Sequence, residues 1–315
     1  MVKYIGQRLV AAVPVLVVVV IAAFALLHVA PGDPAALIAG DNATPTQIHE
    51  LHRKLGLDQP LYMQLGIWVK NLAHGDFGKS IFSGETLTKL VGQRIQPTLA
   101  LAILGELIAI CIGVPLGVLA ARRRNSWLDR GVMIFAVLGF AMPSFWLGYN
   151  LIFLFSLDVH WLPPTGYRPI SAGIGPFLKY LILPSLTLGF GVAALIARMT
   201  RATMLEVLRQ DYVRTARAKG LREQAVLVRH AAKNAAIPVL TVIGLSVAYV
   251  LSGSVIIETV FSIPGMGRLF AEAAINRDYP IVQGTILVTG VLFVLVNLLV
   301  DLSYVLFDPR IRYYS

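Results

Sequence analysis

An all-α, polytopic membrane fold with six transmembrane helices is what this sequence predicts, and three observations predict it. Mean hydropathy over the 315 residues is +0.72. Only 14% of the residues are charged, against about a quarter in soluble domains, so the chain has too much apolar surface for one water-facing globule. Six apolar runs are long enough to cross a ~30 Å hydrocarbon layer as helix, which takes ~20 residues at 1.5 Å each.

The first run is Leu9–Val29. A basic start followed by an apolar stretch has the outline of a signal peptide. The uncharged segment from Leu9 to Gly32 nevertheless exceeds the 7–15-residue core of such a peptide, and no small-x-small cleavage site follows. It reads as a retained span. A polar region from Ala30 to Pro97 comes next, long enough to be a structured unit. Its His49-Glu50-Leu51-His52 lacks the H-E-x-x-H spacing of a zinc site and reads as part of an exposed helix. The other runs are Thr98–Ala121, Gly131–Leu157, Tyr180–Ala197, Ala235–Ile257 and Tyr279–Leu299, with Pro143 and Pro184 expected to break the third and fourth. The expected organisation is a first helix with its long loop over 1–96, a transmembrane core over 97–307, and a tail over 308–315.

Basic residues in short connections set orientation. Seventeen lie in the N-terminus, the Arg122–Arg130 loop, the Arg198–Lys233 insert and the tail, against four (Arg168, Lys179, Arg268, Arg277) in the opposite short loops. Both termini and the insert are therefore expected in the cytoplasm. The net charge of +10 reads as topology and excludes a nucleic-acid footprint. Cys111 is the sole cysteine, so no internal disulfide is possible and no Cys/His cluster suggests a metal.

The insert is the informative segment. From Arg214 to Asn234 it carries six Lys or Arg against one Glu, between two apolar runs. Asp211 is placed to cap a helix over Tyr212–Lys219, Gly220 to take the left-handed turn that ends it, and a second helix can run from about Glu223 to Asn234. Pro238 would then fall in the first turn of the fifth span. Val213, Ala216, Leu221, Val226 and Leu227 alternate with basic residues. A solvated topological loop is one reading; a docking element for a cytoplasmic partner that buries these side chains is the favoured one.

Glu106 is the one charge well inside a span. A carboxylate at that depth costs about 2.5–3.5 kcal/mol on insertion scales, so it is expected to line a pathway or partner interface, or to sit in an internal hydrogen-bonded pair. Asp301 lies near the end of the last span, four residues from Asn297 on the same helical face, within reach of pairing. In the Glu258–Tyr279 connection, Ile263-Pro264-Gly265-Met266-Gly267 demands a tight turn.

These residues resemble a known family. VAPGDPA (Val29–Ala35), LGLDQPLYMQ (Leu55–Gln64), HGDFGKS (His74–Ser80), DYVRTARAKGL (Asp211–Leu221), RHAAKNAAIPVLT (Arg229–Thr241), IIETVFSIPGMGRL (Ile256–Leu269), RDYPIVQG (Arg277–Gly284) and DPRIRY (Asp308–Tyr313) follow in the order and spacing of permease subunits of bacterial ABC importers of the dipeptide/oligopeptide group, which also includes nickel and glutathione importers. The resemblance implies a type I importer permease fold and an ATPase-coupling surface at about 203–234, with Asp211, Tyr212, Arg214, Thr215, Ala216, Lys219, Gly220 and Leu221 in contact. Aligned on Gly220, the family's "EAA, three residues, Gly" motif falls on Arg214, Thr215 and Ala216, of which only Ala216 and the glycine match.

It further implies the bacterial inner membrane, a second permease (a sister chain), two cytoplasmic ATPase subunits and an extracytoplasmic binding protein. That protein would be received by the long first loop and by the loop holding Glu258, Pro264, Gly265 and Gly267, unless these loops are self-packed lids. Glu106, Asn297 and Asp301 are the pathway candidates. No cofactor is implied. The chain has no G-x-x-x-x-G-K-[ST] phosphate loop, so it is not expected to be an enzyme. A self-powered carrier using Glu106 or Asp301, and a scaffold that recruits a cytoplasmic complex, are the other readings.

Overall fold

The computed structural model describes residues 2–29, 34–39 and 43–307. These form thirteen α-helices: α1 (Val2–Val29), α2 (Pro34–Ala39), α3 (Pro45–Leu55), α4 (Leu61–Ala73), α5 (Leu87–Arg122), α6 (Trp127–Ala141), α7 (Ser144–Ile152), α8 (Ile174–Val207), α9 (Asp211–Ala218), α10 (Glu223–Ala225), α11 (Lys233–Val260), α12 (Met266–Ile275) and α13 (Tyr279–Phe307). Among the described residues there is no strand, only one isolated antiparallel bridge between Lys79 and Thr86. Lipid offers backbone N–H and C=O groups no partners, so a spanning segment must satisfy its own, and helix is the outcome.

Among the described residues, five helical runs are long and apolar enough to cross a membrane; the pair of α6 with the run Ser144–Asp158 passes the same test only when its two parts are counted together, and it bends through 105° at its break. The break falls at Met142-Pro143: Pro143 donates no hydrogen bond and disfavours helix at the residue before it, where Met142 takes extended ψ (124°). Pro184, by contrast, does not break α8, which continues through it from Ile174 to Val207. Membrane helices tolerate an internal proline where neighbours re-satisfy the freed carbonyl.

The chain divides into two compact units. One contains Gln96–Arg268 with the terminal stretches; α8 is its centre, with 67% of its most apolar window buried. Small residues on α5 (Gly105, Ala109, Gly113, Gly117) recur every four positions and meet Leu188, Gly189, Ala193, Ile196, Ala197 and Thr200 of α8. The fit leaves no room: a Cβ on Gly113 would lie 2.7 Å from the Ala193 carbonyl oxygen, and one on Gly189 2.5 Å from that of Gly105. Without a hydrophobic force between helices in lipid, such close backbone approach is what holds spans together. On α8's other side Gly139 of α6 meets Ala194, and Phe135 packs edge-on to Phe190 at 5.1 Å. Buried Asp129, near the start of α6, forms a two-point ion pair with Arg201 of α8 and accepts the Asn125 N–H at 2.9 Å.

The second unit contains Gln7–Ile95 and Leu269–Val294. Its α3 carries a full capping box between Thr44 and Gln47 and ends on Gly56 at φ +69°. The buried Asp278 carboxylate accepts from the Ser80 hydroxyl (2.5 Å) and the Ile81 N–H (3.2 Å), pinning the 75–86 loop to the start of α13. Gln283 donates to the Ala23 carbonyl at 3.3 Å, and Gly290 leaves room for Val19, so α13 lies against α1.

Candidate functional site: the basic connector and its anchorage

The connector between α8 and α11 is compact. The α9 helix begins at Asp211, with Gln210 in the capping position and no side-chain cap. Asp211 was expected as the cap; it is instead the first helical residue, its carboxylate 3.5 Å from Arg214. It still supports the helix, because an acid in the first turn complements the positive end of the dipole. Gly220 closes the helix at φ +76°, as its position predicted. Across this turn Arg217 donates twice to Glu223, at 3.1 and 2.8 Å, an ion pair that links the two arms.

The second arm is not a separate helix. Residues Glu223–Val260 form one continuous helical run in which Val226–Ala232 takes the wider π pitch. Pro238 accordingly lies inside α11 rather than in a first turn. The connector's second arm and the fifth span are thus one rod.

Of the apolar residues expected to need a partner, most are already buried by the chain itself. Val213 (0% exposed), Ala216 and Val226 pack together with Leu208. Leu227, Ala231 and Ala235 pack with Ala121 of α5 and Met204 of α8, which ties the connector to the ends of two spans. Facing outward are Asp211, Tyr212 (42% exposed), Arg214, Thr215, Lys219, Gly220 and Leu221; Ala216, grouped with them on resemblance, faces inward. Sequence reasoning missed Asn234, which donates to the Tyr212 hydroxyl at 2.8 Å and fixes that ring across the turn. No spacing rule signals this contact, because the two residues are 22 positions apart.

Glu258 is not in a loop. It lies in the last turn of α11 and is fully buried (0% exposed), its carboxylate accepting from the Thr98 hydroxyl (2.6 Å) and the Arg268 N–H (2.9 Å). Thr98 in turn accepts the Met266 N–H at 2.8 Å. Gly265 is required here by proximity, since a Cβ would lie 2.3 Å from the Glu258 carboxyl carbon. Pro264 is half-buried, Gly267 buried, and Ser262 takes φ +53°, a conformation costly for a non-glycine residue. Glu258 thus belongs to the fifth span rather than to the connection after it, and its bonds to the Thr98 hydroxyl and the Arg268 N–H tie the Phe261–Arg268 turn, which holds Pro264, Gly265 and Gly267, onto that span.

Glu106 of α5 is half-buried. The Ser246 hydroxyl of α11 lies 2.7 Å from Glu106 Oε1 and from the Ile243 carbonyl oxygen, while Oε2 has no partner among the described residues. Ser246 also belongs to the wall of a cavity of about 130 Å³ with Gly139, Gly191 and Tyr249. Asn297 is half-buried on α13; the Asp301 side chain and the 308–315 tail lie outside the described residues.

A polytopic helical membrane protein with a rigid connector buttressed by two of its own spans is the class that this fold and site define. The chain belongs to the family of binding-protein-dependent transport system inner membrane components, whose model matches residues 113–313; the N-terminal model of the same system matches residues 1–102. Among curated proteins it is 47% identical to a probable peptide ABC transporter permease protein of Sinorhizobium fredii, over 98% of this chain and 99% of that one. It is 41% identical to the dipeptide transport system permease protein DppB of Alkalihalophilus pseudofirmus and 43% identical to the glutathione transport system permease protein GsiC of Escherichia coli, each over 99% of this chain and 100% of the other. The fold is shared with the MetNI methionine ABC transporter in an inward-facing conformation, at TM-score 0.60 and 18% identity, over 70% of this chain and 97% of that one. The all-helical expectation and the family resemblance are both borne out.

Proposed function

We propose that the chain is the permease subunit of an ATP-binding-cassette importer of di- and oligopeptides, working by alternating access in the bacterial inner membrane with both termini cytoplasmic. The observation that carries this reading is mechanical. A connector whose inner face is already packed, whose outer face presents Tyr212, Thr215 and Leu221, and whose second arm is continuous with α11 passes a displacement at its tip directly into a span. Two cytoplasmic ATPase subunits supply that displacement, a sister permease completes the pathway, and an extracytoplasmic receptor delivers substrate. Peptide cargo is supported by the relatives named for peptide, dipeptide and glutathione transport, the last itself a small peptide.

The switch needs nucleotide to favour one state: moving a 1:99 population to 99:1 takes ~5.5 kcal/mol of differential binding. A flexible connector would dissipate that difference among its own conformers. The Arg217–Glu223 clamp and the Val213–Ala216–Val226 cluster keep the tip in one geometry.

Reconstitution into vesicles with the partner subunits, followed by labelled dipeptide uptake, tests the reading. Uptake that requires ATP and is insensitive to ionophores is expected. Uptake by this chain alone, driven by an ion gradient, would overturn it in favour of a self-powered carrier.

A further inference from the structure

We propose that α4 is a membrane-docking helix, lying in the headgroup–acyl boundary of the leaflet at the C-terminal end of α1, with Tyr62, Met63, Ile67 and Val69 in the apolar layer. This rests on α1 spanning the membrane and is independent of what the protein transports.

With thirteen residues at 1.5 Å rise, α4 is about 20 Å long, too short to cross a ~30 Å hydrocarbon layer. None of its residues is buried. Its outer surface carries large apolar side chains, Tyr62 at 71% and Ile67 at 52% exposure among them, and Lys70 is its one charged residue. Apolar side chains this dense on a helix of a water-facing loop mark a surface that something apolar covers.

The occupant follows from what α4 touches. Trp68, on the opposite face, packs against Phe24 of α1 with ring centroids 5.9 Å apart. Phe24 lies near the end of the Arg8–Leu26 span, whose most apolar window is only 11% buried within this chain. The exposed apolar surface of α4 therefore adjoins the outward, apolar end of α1 where that span ends. Trp68 is a residue type that settles at headgroup level, and the Lys70 stem is long enough to carry its ammonium back to water. A helix lying in the interface with its apolar face a few ångströms deep fits all of these features.

Spin labels placed on the full chain in vesicles test the proposal. In a Cys111→Ser background, Tyr62→Cys and Ile67→Cys are labelled with a nitroxide and compared with Val18→Cys on the exposed flank of α1 and Glu50→Cys on the exposed face of α3. Collision rates with oxygen and with a neutral nickel chelate are read. The expected result is an oxygen-to-nickel ratio at 62 and 67 roughly tenfold above that at 50, because oxygen partitions into the apolar phase. A ratio equal to that at 50 makes the surface water-facing and overturns the proposal. Low collision with both reagents means protein covers it, which overturns it equally. A second measurement needs no label. With Trp127, Trp146 and Trp161 changed to Phe, Trp68 is the one remaining tryptophan of four. Its fluorescence should be quenched more by lipids brominated near the headgroup than by those brominated near the chain end; absence of quenching by either overturns the assignment.

Discussion

At Gly220 a single backbone angle sets the geometry of the connector. It stands at φ +76°, and a Cβ built there would meet nothing within 4 Å, so any cost of substitution is conformational rather than steric. A left-handed conformation costs an ordinary L-residue about 1–2 kcal/mol, while Asn tolerates it. Gly220→Val is expected to insert in the membrane but to raise the ATP hydrolysed per substrate imported, whereas Gly220→Asn stays near wild type; parallel assays of hydrolysis and uptake in vesicles check both. Glu258 gives a second residue-scale case. Glu258→Ala strips the acceptor from the Thr98 hydroxyl and the Arg268 N–H, at about 1–3 kcal/mol for each donor left unsatisfied. The expected outcome is faster proteolytic cleavage between Phe261 and Arg268 and a lower Tm in detergent. Glu258→Gln should be intermediate, since its amide can place one acceptor oxygen but not two.

Between elements, the α5–α8 seam decides more than any side chain on either helix. Gly189 faces the Gly105 carbonyl so closely that even a methyl group has no place to go, while Gly131 of α6 has open space around it. Gly189→Ala is therefore expected to lower the Tm of the purified chain. Gly131→Ala should leave it unchanged or raise it slightly, because alanine is the better helix former by about 1 kcal/mol. Equal effects of the two changes would refute close packing as the cause. The same scale holds the reason for the connector's rigidity: its two arms are clamped by Arg217–Glu223 and the second arm belongs to α11.

For the molecule as a whole, the prediction concerns contact with a motor. Photo-cross-linkers at Thr215 and Leu221, both exposed, should capture an ATPase subunit in the assembled importer, with a yield that changes between nucleotide-free and ATP-bound states. A cross-linker at Val213, which is buried, should capture nothing beyond this chain. Capture from Val213 with silence from Thr215 would invert the proposed orientation of the connector.

Much of this was legible in the residues. Hydropathy and chain length demanded helices in lipid, since an apolar run cannot leave its backbone groups unpaired there. Gly220, Pro143 and the basic connector announced themselves because turn chemistry and charge are local properties of a few neighbouring residues. The order of the motifs then pointed to the family. Other features required the tertiary structure: the burial of Glu258, the inward face of Ala216, the bond from Asn234 to Tyr212, and the fusion of the connector's second arm with α11. Hydropathy cannot separate a side chain that meets lipid from one that meets protein, because both surroundings are equally dry. That choice belongs to the register between helices far apart in the chain, which only packing fixes.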